Sequence, residues 1–149
     1  MAKGIEAQEF NSCLSKKRIV KFAAAKKLVA RELKAAEDDL KVAVESLKKG
    51  HEKWATVQAY YAMFHTVRAL LCSKGYREKS HYCLIVAMKT LFVAEHLLDE
   101  TLVDAFALAK VLRENADYDN EYSKDSAKSL VEKAKKFLTA GRKILEAQE

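Results

Sequence analysis

Apolar residues recur every three or four positions along most of the chain, which is the period of an amphipathic α-helix. One such segment runs from about residue 23 to residue 49, and its inward stripe consists of Leu33, Ala36, Leu40, Ala43 and Leu47. A second segment runs from about residue 52 to residue 73, with Trp54, Val57, Tyr61, Phe64, Val67 and Leu71 on one side. Gly50 and Gly75 are predicted to end the two helices, because glycine readily adopts the left-handed conformation of a helix C-terminus.

The same period predicts three helices in the remainder of the chain. Ser80 is the expected N-cap of a short third helix, and Asp99 is that of a longer fourth, because both side chains can accept hydrogen bonds from free backbone amides. A polar segment from residue 115 to residue 126 interrupts the pattern. The last helix runs from about residue 126 to residue 146, and its apolar stripe consists of Ala127, Leu130, Ala134, Phe137, Gly141 and Ile144.

The composition agrees with long helices joined by short connections. The 149 residues include no proline and four glycines, and half of them are hydrophobic. Short connections make sequential helices antiparallel neighbours. We therefore predict an all-α fold, an up-and-down antiparallel bundle of four long helices plus a short additional helix. The length suits one domain over residues 1–149, in which residues 1–22 could be a loosely attached basic leader.

The sequence carries no signal for a membrane or for secretion. No run approaches the roughly 18 consecutive apolar residues of a membrane-spanning helix, and the N-terminus lacks the apolar region of a signal peptide. We therefore expect a cytoplasmic protein with no membrane partner. Cys13, Cys72 and Cys83 are odd in number and show no CxxC spacing, so we expect them to be reduced packing residues.

The net charge of +6 is unevenly distributed, with its densest basic stretch near the N-terminus. Residues 16–27 contain six basic side chains and no acidic one. Such a cluster could attract phosphate groups, which makes Lys16, Lys17 and Arg18 candidate RNA-binding residues. The alternative is a solvated helix face or a flexible arm that binds nothing.

The four histidines show no pattern typical of a metal site. His51, His65, His81 and His96 are too far apart for two imidazoles of one helix to share a metal, so we predict neither a metal nor another cofactor. His65 lies on a helix rich in aromatic residues, where a hydrogen-bonded core histidine is the simplest role. His81, beside Ser80, most simply caps the third helix.

A dense run of polar and aromatic residues, 112–122, marks the place where the fourth helix ends. Arg113 and Asp117 are four residues apart and would share a face of a continuing helix, so they could simply form an ion pair. In the alternative, Arg113 stays free as a bidentate phosphate donor, and Asp117 and Tyr118 position a nucleotide or RNA.

Three blocks of the sequence carry a resemblance to a known family. They are AYYAMFHTVRALL at residues 59–71, Gly75 followed by KSH at residues 79–81, and RENADY at residues 113–118. In that order and spacing they resemble the HEPN domain family, in its small stand-alone prokaryotic branch, over roughly residues 10–145. The resemblance implies a helical bundle that usually dimerises and is often encoded beside a minimal nucleotidyltransferase as a toxin–antitoxin pair.

The resemblance also implies a possible activity, because active HEPN members are metal-independent ribonucleases. Their motif is an arginine and a histidine separated by four to six residues. Arg113 matches the arginine, but the corresponding positions, 118–120, hold Tyr, Asp and Asn. Cleavage through the 2′-hydroxyl needs groups that titrate near neutrality, and tyrosine, with a pKa of about 10, serves poorly. Catalysis would therefore require His65 or His81 to lie near Arg113 in the fold.

Three functions remain open at this point. The first is a nucleotide- or RNA-binding module that works as a homodimer with a minimal nucleotidyltransferase. The second is a metal-independent endoribonuclease in which Arg113 stabilises the phosphate and a histidine moves the proton. The third is a structural interaction protein in which Arg113 and Asp117 only pair with each other. The surroundings of Arg113 distinguish these functions.

Overall fold

The computed structural model describes residues 2–148, and the side chains of residues 4–148. Within this range the chain forms six α-helices: α1 (Ala2–Ser15), α2 (Val29–Lys48), α3 (Glu52–Ser73), α4 (His81–Met88), α5 (Glu100–Tyr118) and α6 (Lys124–Ala147). The two strands are β1 (Ile19–Lys21) and β2 (Tyr76–Glu78). A 3₁₀ turn (Ala25–Leu28) leads into α2, and a π-helical turn (Lys89–Val93) extends α4. No helix in this part of the chain is long and apolar enough to cross a bilayer.

α3 lies at the centre of the bundle, in contact with α2, α5 and α6. Its inward positions include four buried alanines, Ala55, Ala59, Ala62 and Ala69. Small side chains at these positions allow the neighbouring helices to approach closely. Two of these neighbours also contact each other: the buried rings of Phe106 in α5 and Phe137 in α6 have centroids 6.4 Å apart. The predicted all-α bundle with four long helices is confirmed, with α4 as the short helix and α1 in addition.

Both predicted helix caps are present. Ser80 Oγ accepts a hydrogen bond from the Cys83 amide (3.3 Å), and Asp99 Oδ1 accepts one from the Thr101 amide (2.9 Å). The expectation that His81 caps the same helix is wrong. Because Ser80 already fills the N-cap position, His81 is the first residue inside α4.

α5 runs on to Tyr118, so the polar segment expected between residues 115 and 126 is helical over its first turn. The helix ends where Asn120 adopts the left-handed conformation, with φ of 55°, which asparagine tolerates better than most residues. The amide of Glu121 then bonds back to the carbonyl of Asn115 (2.9 Å). The candidate residues of this run therefore belong to one helix.

The predicted leader, residues 1–22, contacts the bundle through buried residues from Phe10 onward, and Met1 lies outside the described residues. Phe10 and Cys13 of α1 are buried, and Ile19 of β1 is only 1% exposed. β1 pairs in antiparallel fashion with β2, with Val20 opposite Arg77. Strands of three residues are too short to show a period of two, so the sequence predicted no sheet.

Cys13 and Cys83 form a disulfide that ties α1 to α4, with their Cα atoms 5.9 Å apart. The expectation of three reduced cysteines is therefore wrong for this pair. The fold brings together positions that are 70 residues apart, and spacing along the chain does not reveal such a pairing. Cys72 is free and buried, and burial raises the pKa of its thiol.

α3 and α6 approach closely at Gly141, where a Cβ atom would lie 2.6 Å from Cγ2 of Thr66. We expect Gly141→Ala to lower the free energy of unfolding by up to about 2 kcal/mol, because overpacking costs about 1–3 kcal/mol and the gain of about 1 kcal/mol in helix propensity offsets only part of it. Urea denaturation measures the change. Thr66→Ser is the matched compensating variant, since it removes Cγ2 and keeps the hydroxyl that donates to the Ala62 carbonyl (2.8 Å). A double variant no more stable than Gly141→Ala would contradict this explanation.

The disulfide leads to a separate prediction about the stability of the fold. Reduction should lower the free energy of unfolding by about 2–4 kcal/mol, because it removes a cross-link between distant parts of the unfolded chain. Urea denaturation with and without dithiothreitol measures this, and a variant with both Cys13→Ser and Cys83→Ser should not respond to the reductant. A thiol titration of the denatured, unreduced protein should find Cys72 alone; three reactive thiols would mean that the disulfide does not form.

Candidate functional site

Arg113 of α5 is held among three tyrosine rings, Tyr60 and Tyr61 of α3 and Tyr118 of α5, which we call the tyrosine cage. Its Nη2 donates a hydrogen bond to the Tyr61 hydroxyl (2.7 Å). The guanidinium carbon lies 5.5, 5.4 and 5.7 Å from the ring centroids of Tyr60, Tyr61 and Tyr118. These distances are within the range of cation–π attraction. The aromatic rings thus fix the position of the cation.

No carboxylate among the described residues neutralises Arg113. Asp117 lies one turn further along the same helix, but the guanidinium points to Tyr61 instead, and Glu114 pairs with Lys110 (3.6 Å). The Nε atom of Arg113 is buried and has no hydrogen-bond partner. A buried donor on a charged group is costly when it is unpaired. Nε is enclosed by protein atoms, so an oxyanion would bind the other donors of this guanidinium, whose side chain is only partly buried.

His81 packs on the same aromatic residues. Its ring centroid is 4.9 Å from that of Phe106 and 6.1 Å from that of Tyr60. Its Nε2 atom, like Nε of Arg113, is buried and without a hydrogen-bond partner. Because Tyr60 contacts both side chains, the fold brings His81 and Arg113 into one site, which their separation in the sequence does not indicate.

The electrostatics of the site favour a neutral imidazole. Burial lowers the pKa of His81 to about 4, and the positive charges of Lys110 and Arg113 act in the same direction, whereas Glu114 opposes them. Burial also raises the pKa of Tyr60 to about 12. At pH 7 the guanidinium therefore lies beside two uncharged rings.

His65 belongs to a different polar cluster, on the face of α3 that meets α2. Its Nδ1 is 2.7 Å from Oε2 of Glu32, and its Nε2 is 3.6 Å from Oδ2 of Asp39. Burial raises the pKa of Asp39, although the charge of His65 works against this. Among the described residues, no hydrogen bond, ion pair or ring contact joins His65 to Arg113, so of the two candidate histidines the fold brings His81 to the site.

The cluster around His65 is held by buried charge. Glu32 is 6% exposed and also lies 3.6 Å from Nη1 of Arg68, whose Nε is 2.9 Å from Oε1 of Glu78. Removing one partner of such a network leaves a buried charge uncompensated, which is strongly destabilising. We therefore interpret this cluster as a junction between α2, α3 and β2.

The remaining predicted residues lie around the site or away from it. Tyr118 is 72% exposed and forms the outer wall of the cage. Asp117 is partly exposed on the same helix. Lys16, Lys17 and Arg18 lie outside the cage, in the exposed turn between α1 and β1.

Sequence reasoning missed the role of Tyr61, which orients Arg113 from 52 residues away. The available signal was a pair of adjacent tyrosines on a helix predicted to pack in the bundle, since a buried tyrosine hydroxyl usually has a partner. Among the residues that the structure describes, no three His, Cys, Asp or Glu side chains are placed to hold a metal ion. A guanidinium with unused donors beside aromatic faces suits a phosphate or another oxyanion.

The fold and the site define a helical-bundle domain with an arginine caged by aromatic residues where α3, α4 and α5 meet. The profile of the HEPN domain matches residues 29–144, which is more than three quarters of the chain. The chain therefore belongs to the HEPN family. α1 and β1 lie outside the matched range.

Three relatives have similar sequences. The chain is 29% identical over 114 residues to a protein of Methanocaldococcus jannaschii named "Putative toxin MJ0605", covering 76% of this chain and 85% of that protein. It is 29% identical over 122 residues to "Putative toxin MJ0142" of the same organism, covering 80% and 83%. It is also 29% identical over 118 residues to a UPF0332 protein of Thermotoga maritima, covering 78% and 87%.

The buried, neutral state of His81 predicts a pH dependence of stability. In the unfolded chain His81 titrates near 6.5, and in the folded protein near 4. Between these values the unfolded state binds more protons, so this contribution to stability is fully present above pH 6.5 and is lost as the pH falls to 4. We expect a loss on the order of 1–2 kcal/mol after allowance for solvent screening.

Urea denaturation at a series of pH values between 7 and 4 measures this effect. Other groups titrate in the same window, so the comparison is with His81→Gln, which should show a shallower decline. Parallel declines for the two proteins would mean that His81 is not held neutral by burial.

Proposed function

We propose that this chain is a toxin-type HEPN module that binds nucleotides or RNA through Arg113, as a homodimer that works with a minimal nucleotidyltransferase. The observation that carries the proposal is a positively charged side chain that Tyr61 fixes in position and that no carboxylate of the described residues neutralises. Its partly exposed guanidinium can therefore bind an anion. The third hypothesis, that Arg113 only pairs with Asp117, has no support in the described contacts.

The geometry suits a phosphate group in particular. The Tyr61 hydroxyl uses one donor of the guanidinium, and an arginine has five N–H groups in a planar fork that can bind phosphate oxygens in pairs. The exposed ring of Tyr118 offers a face on which a base could stack. A nucleotide could therefore bind with its phosphate at Arg113 and its base on Tyr118.

The similar proteins named as toxins support the toxin-type context. The minimal nucleotidyltransferase partner follows from the resemblance to the small prokaryotic branch of the family. The homodimer has support on α5, where Leu108, Val111 and Tyr118 are exposed. Their spacing places them along one side of the helix, and the ring of Tyr118 also contacts Arg113. A second copy packed there would bring two tyrosine cages near each other.

A metal-independent ribonuclease is the second candidate, favoured by the position of His81, whose ring packs on the Tyr60 ring that also contacts Arg113. In this reaction the 2′-hydroxyl proton passes to His81, the 2′-oxygen attacks phosphorus, and the 5′-oxygen leaves with a proton from water, while Arg113 stabilises the extra negative charge. A pKa of about 4 makes His81 a weak base. A bound phosphate would raise that pKa, because a nearby negative charge favours the protonated form.

The test compares the RNA affinity of Arg113→Ala with that of the wild type. Fluorescence anisotropy with a labelled RNA, in the presence of EDTA, measures the dissociation constants. We expect the dissociation constant to rise at least about tenfold, because a charge-assisted hydrogen bond contributes about 1.5–3 kcal/mol. Arg113→Lys keeps the charge but loses the planar fork, so it should recover only part of the affinity.

Arg142→Ala is the matched control, since it removes the same charge from α6, where Arg142 pairs with Glu37 (2.7 Å). Equal affinities of the wild type and Arg113→Ala would refute a role for Arg113 in binding. Cleavage of the RNA by the wild type, but not by Arg113→Ala or His81→Gln, would favour the ribonuclease. Absence of binding by the wild type, together with a large loss of stability in Arg113→Ala, would favour a structural interaction protein.

A further inference from the structure

The two short strands form a ribbon that is longer than their three paired residues. The amide of Lys79 donates to the carbonyl of Arg18 (2.7 Å), and the amide of Phe22 donates to the carbonyl of Gly75 (2.9 Å). These bonds continue the register in which Val20 is opposite Arg77. Residues 18–22 therefore pair with residues 75–79.

Side chains alternate between the two faces of this ribbon. Ile19, Lys21, Tyr76 and Glu78 lie on the inner face, at whose edge Lys21 is exposed. Ile19 is buried there, and Glu78 is bound by Arg68 (2.9 Å). Directly opposed residues share a face, so the outer face carries the remaining side chains. These are Arg18, Val20, Phe22, Arg77 and Lys79, and we call this set the ribbon face.

The ribbon face and its borders are strongly basic. The exposed basic residues of the two segments are Lys16, Lys17, Arg18, Lys21, Lys26, Lys27, Lys74, Arg77 and Lys79. The sequence has no acidic residue between Glu9 and Glu32, and Glu78 is its only acidic residue between Glu52 and Glu95. Because Glu78 points to the inner face and is paired, no acidic side chain of the ribbon opposes this charge.

An aromatic ring lies among these charges. The guanidinium carbon of Arg77 is 5.7 Å from the ring centroid of Phe22, which holds Arg77 flat against the ribbon. Beside Phe22 a groove of about 800 Å³ is lined by Lys21, Lys26 and Lys74. Clustered bases with an aromatic residue between them are typical of surfaces that follow a nucleic-acid backbone.

The ribbon leads directly into the tyrosine cage. β2 ends at Glu78, and Lys79 and Ser80 are followed at once by His81. A chain of phosphates that begins at Arg113 could therefore continue past His81 onto the ribbon face without crossing an acidic surface of β2.

We propose that the ribbon face binds the phosphate backbone of an RNA strand whose other end occupies the tyrosine cage. The proposal rests on the function proposed above and extends it, because it makes a polynucleotide rather than a single nucleotide the ligand. An anionic membrane is the less suitable partner, since Phe22 is half-buried and covered by Arg77, and the ribbon face has no exposed apolar side chain that could insert into lipid.

The test uses the charge-reversed variant Arg18→Glu with Arg77→Glu and a labelled unstructured RNA of about 20 nucleotides. We expect its dissociation constant to rise at least tenfold. The slope of log affinity against log salt should fall by about 1.4, because each lost contact with a single strand accounts for about 0.7. The matched control is Lys128→Glu with Lys136→Glu, exposed positions on α6 that change the net charge equally; it should bind within about twofold of the wild type.

Three comparisons separate this proposal from the preceding one. Equal affinities of the ribbon variant and its α6 control would overturn the ribbon proposal, whatever Arg113→Ala does. Weak RNA binding by the ribbon variant, with unchanged binding by Arg113→Ala, would support the ribbon and refute the cage. If the ribbon variant binds RNA like the wild type but no longer binds vesicles containing phosphatidylserine, the ribbon face binds a membrane and the RNA proposal is overturned. Should circular dichroism show that the ribbon variant does not fold, Arg18→Gln with Arg77→Gln carries the same test.

Discussion

The burial of α3 on three sides is the constraint on which the rest of the structure depends. With α2, α5 and α6 packed around it, this helix can accommodate polar side chains only where a neighbouring element supplies partners. Tyr61, His65 and Arg68 follow one another at spacings of four and three, so they lie along one stripe of the helix. Tyr61 meets Arg113 of α5, whereas the other two meet carboxylates of α2 and β2. The stripe therefore contributes to the candidate site at one end and to the packing of neighbouring elements at the other.

The long helices could be predicted from the sequence because their stability depends on a repeating apolar face. α3 has the bounds that the pattern predicts, and Ser80 and Asp99 cap the following helices as expected. The N-terminal part could not be predicted in the same way. The apolar residues of α1 do not form one regular face, the strands are three residues long, and the partner of Cys13 is decided by the fold alone.

The candidate site could likewise be predicted from the sequence only in part. Arg113 could be selected from the sequence, but the pattern offered only a neighbour on the same helix, Asp117, as its partner. The partner in the structure is Tyr61, which belongs to another helix. His81 joins the site because α4 packs beside α3 and α5, a relation that no spacing along the chain contains. Residues of a site between helices can thus be nominated from a sequence, whereas their pairing depends on the packing.

The disulfide has a consequence for the ribbon beyond linking two helices. Cys13 lies five residues before Arg18, and Cys83 lies four residues after Lys79, so the covalent bond and the Arg18–Lys79 hydrogen bond close a small ring across the two segments. A strand of three residues holds its alignment weakly, and a slip of one residue would turn every side chain to the opposite face. The sulfur bridge restricts such a slip, because it limits how far the two segments can move past each other. Together with the burial of Ile19, it keeps the same side chains of the ribbon in contact with the solvent.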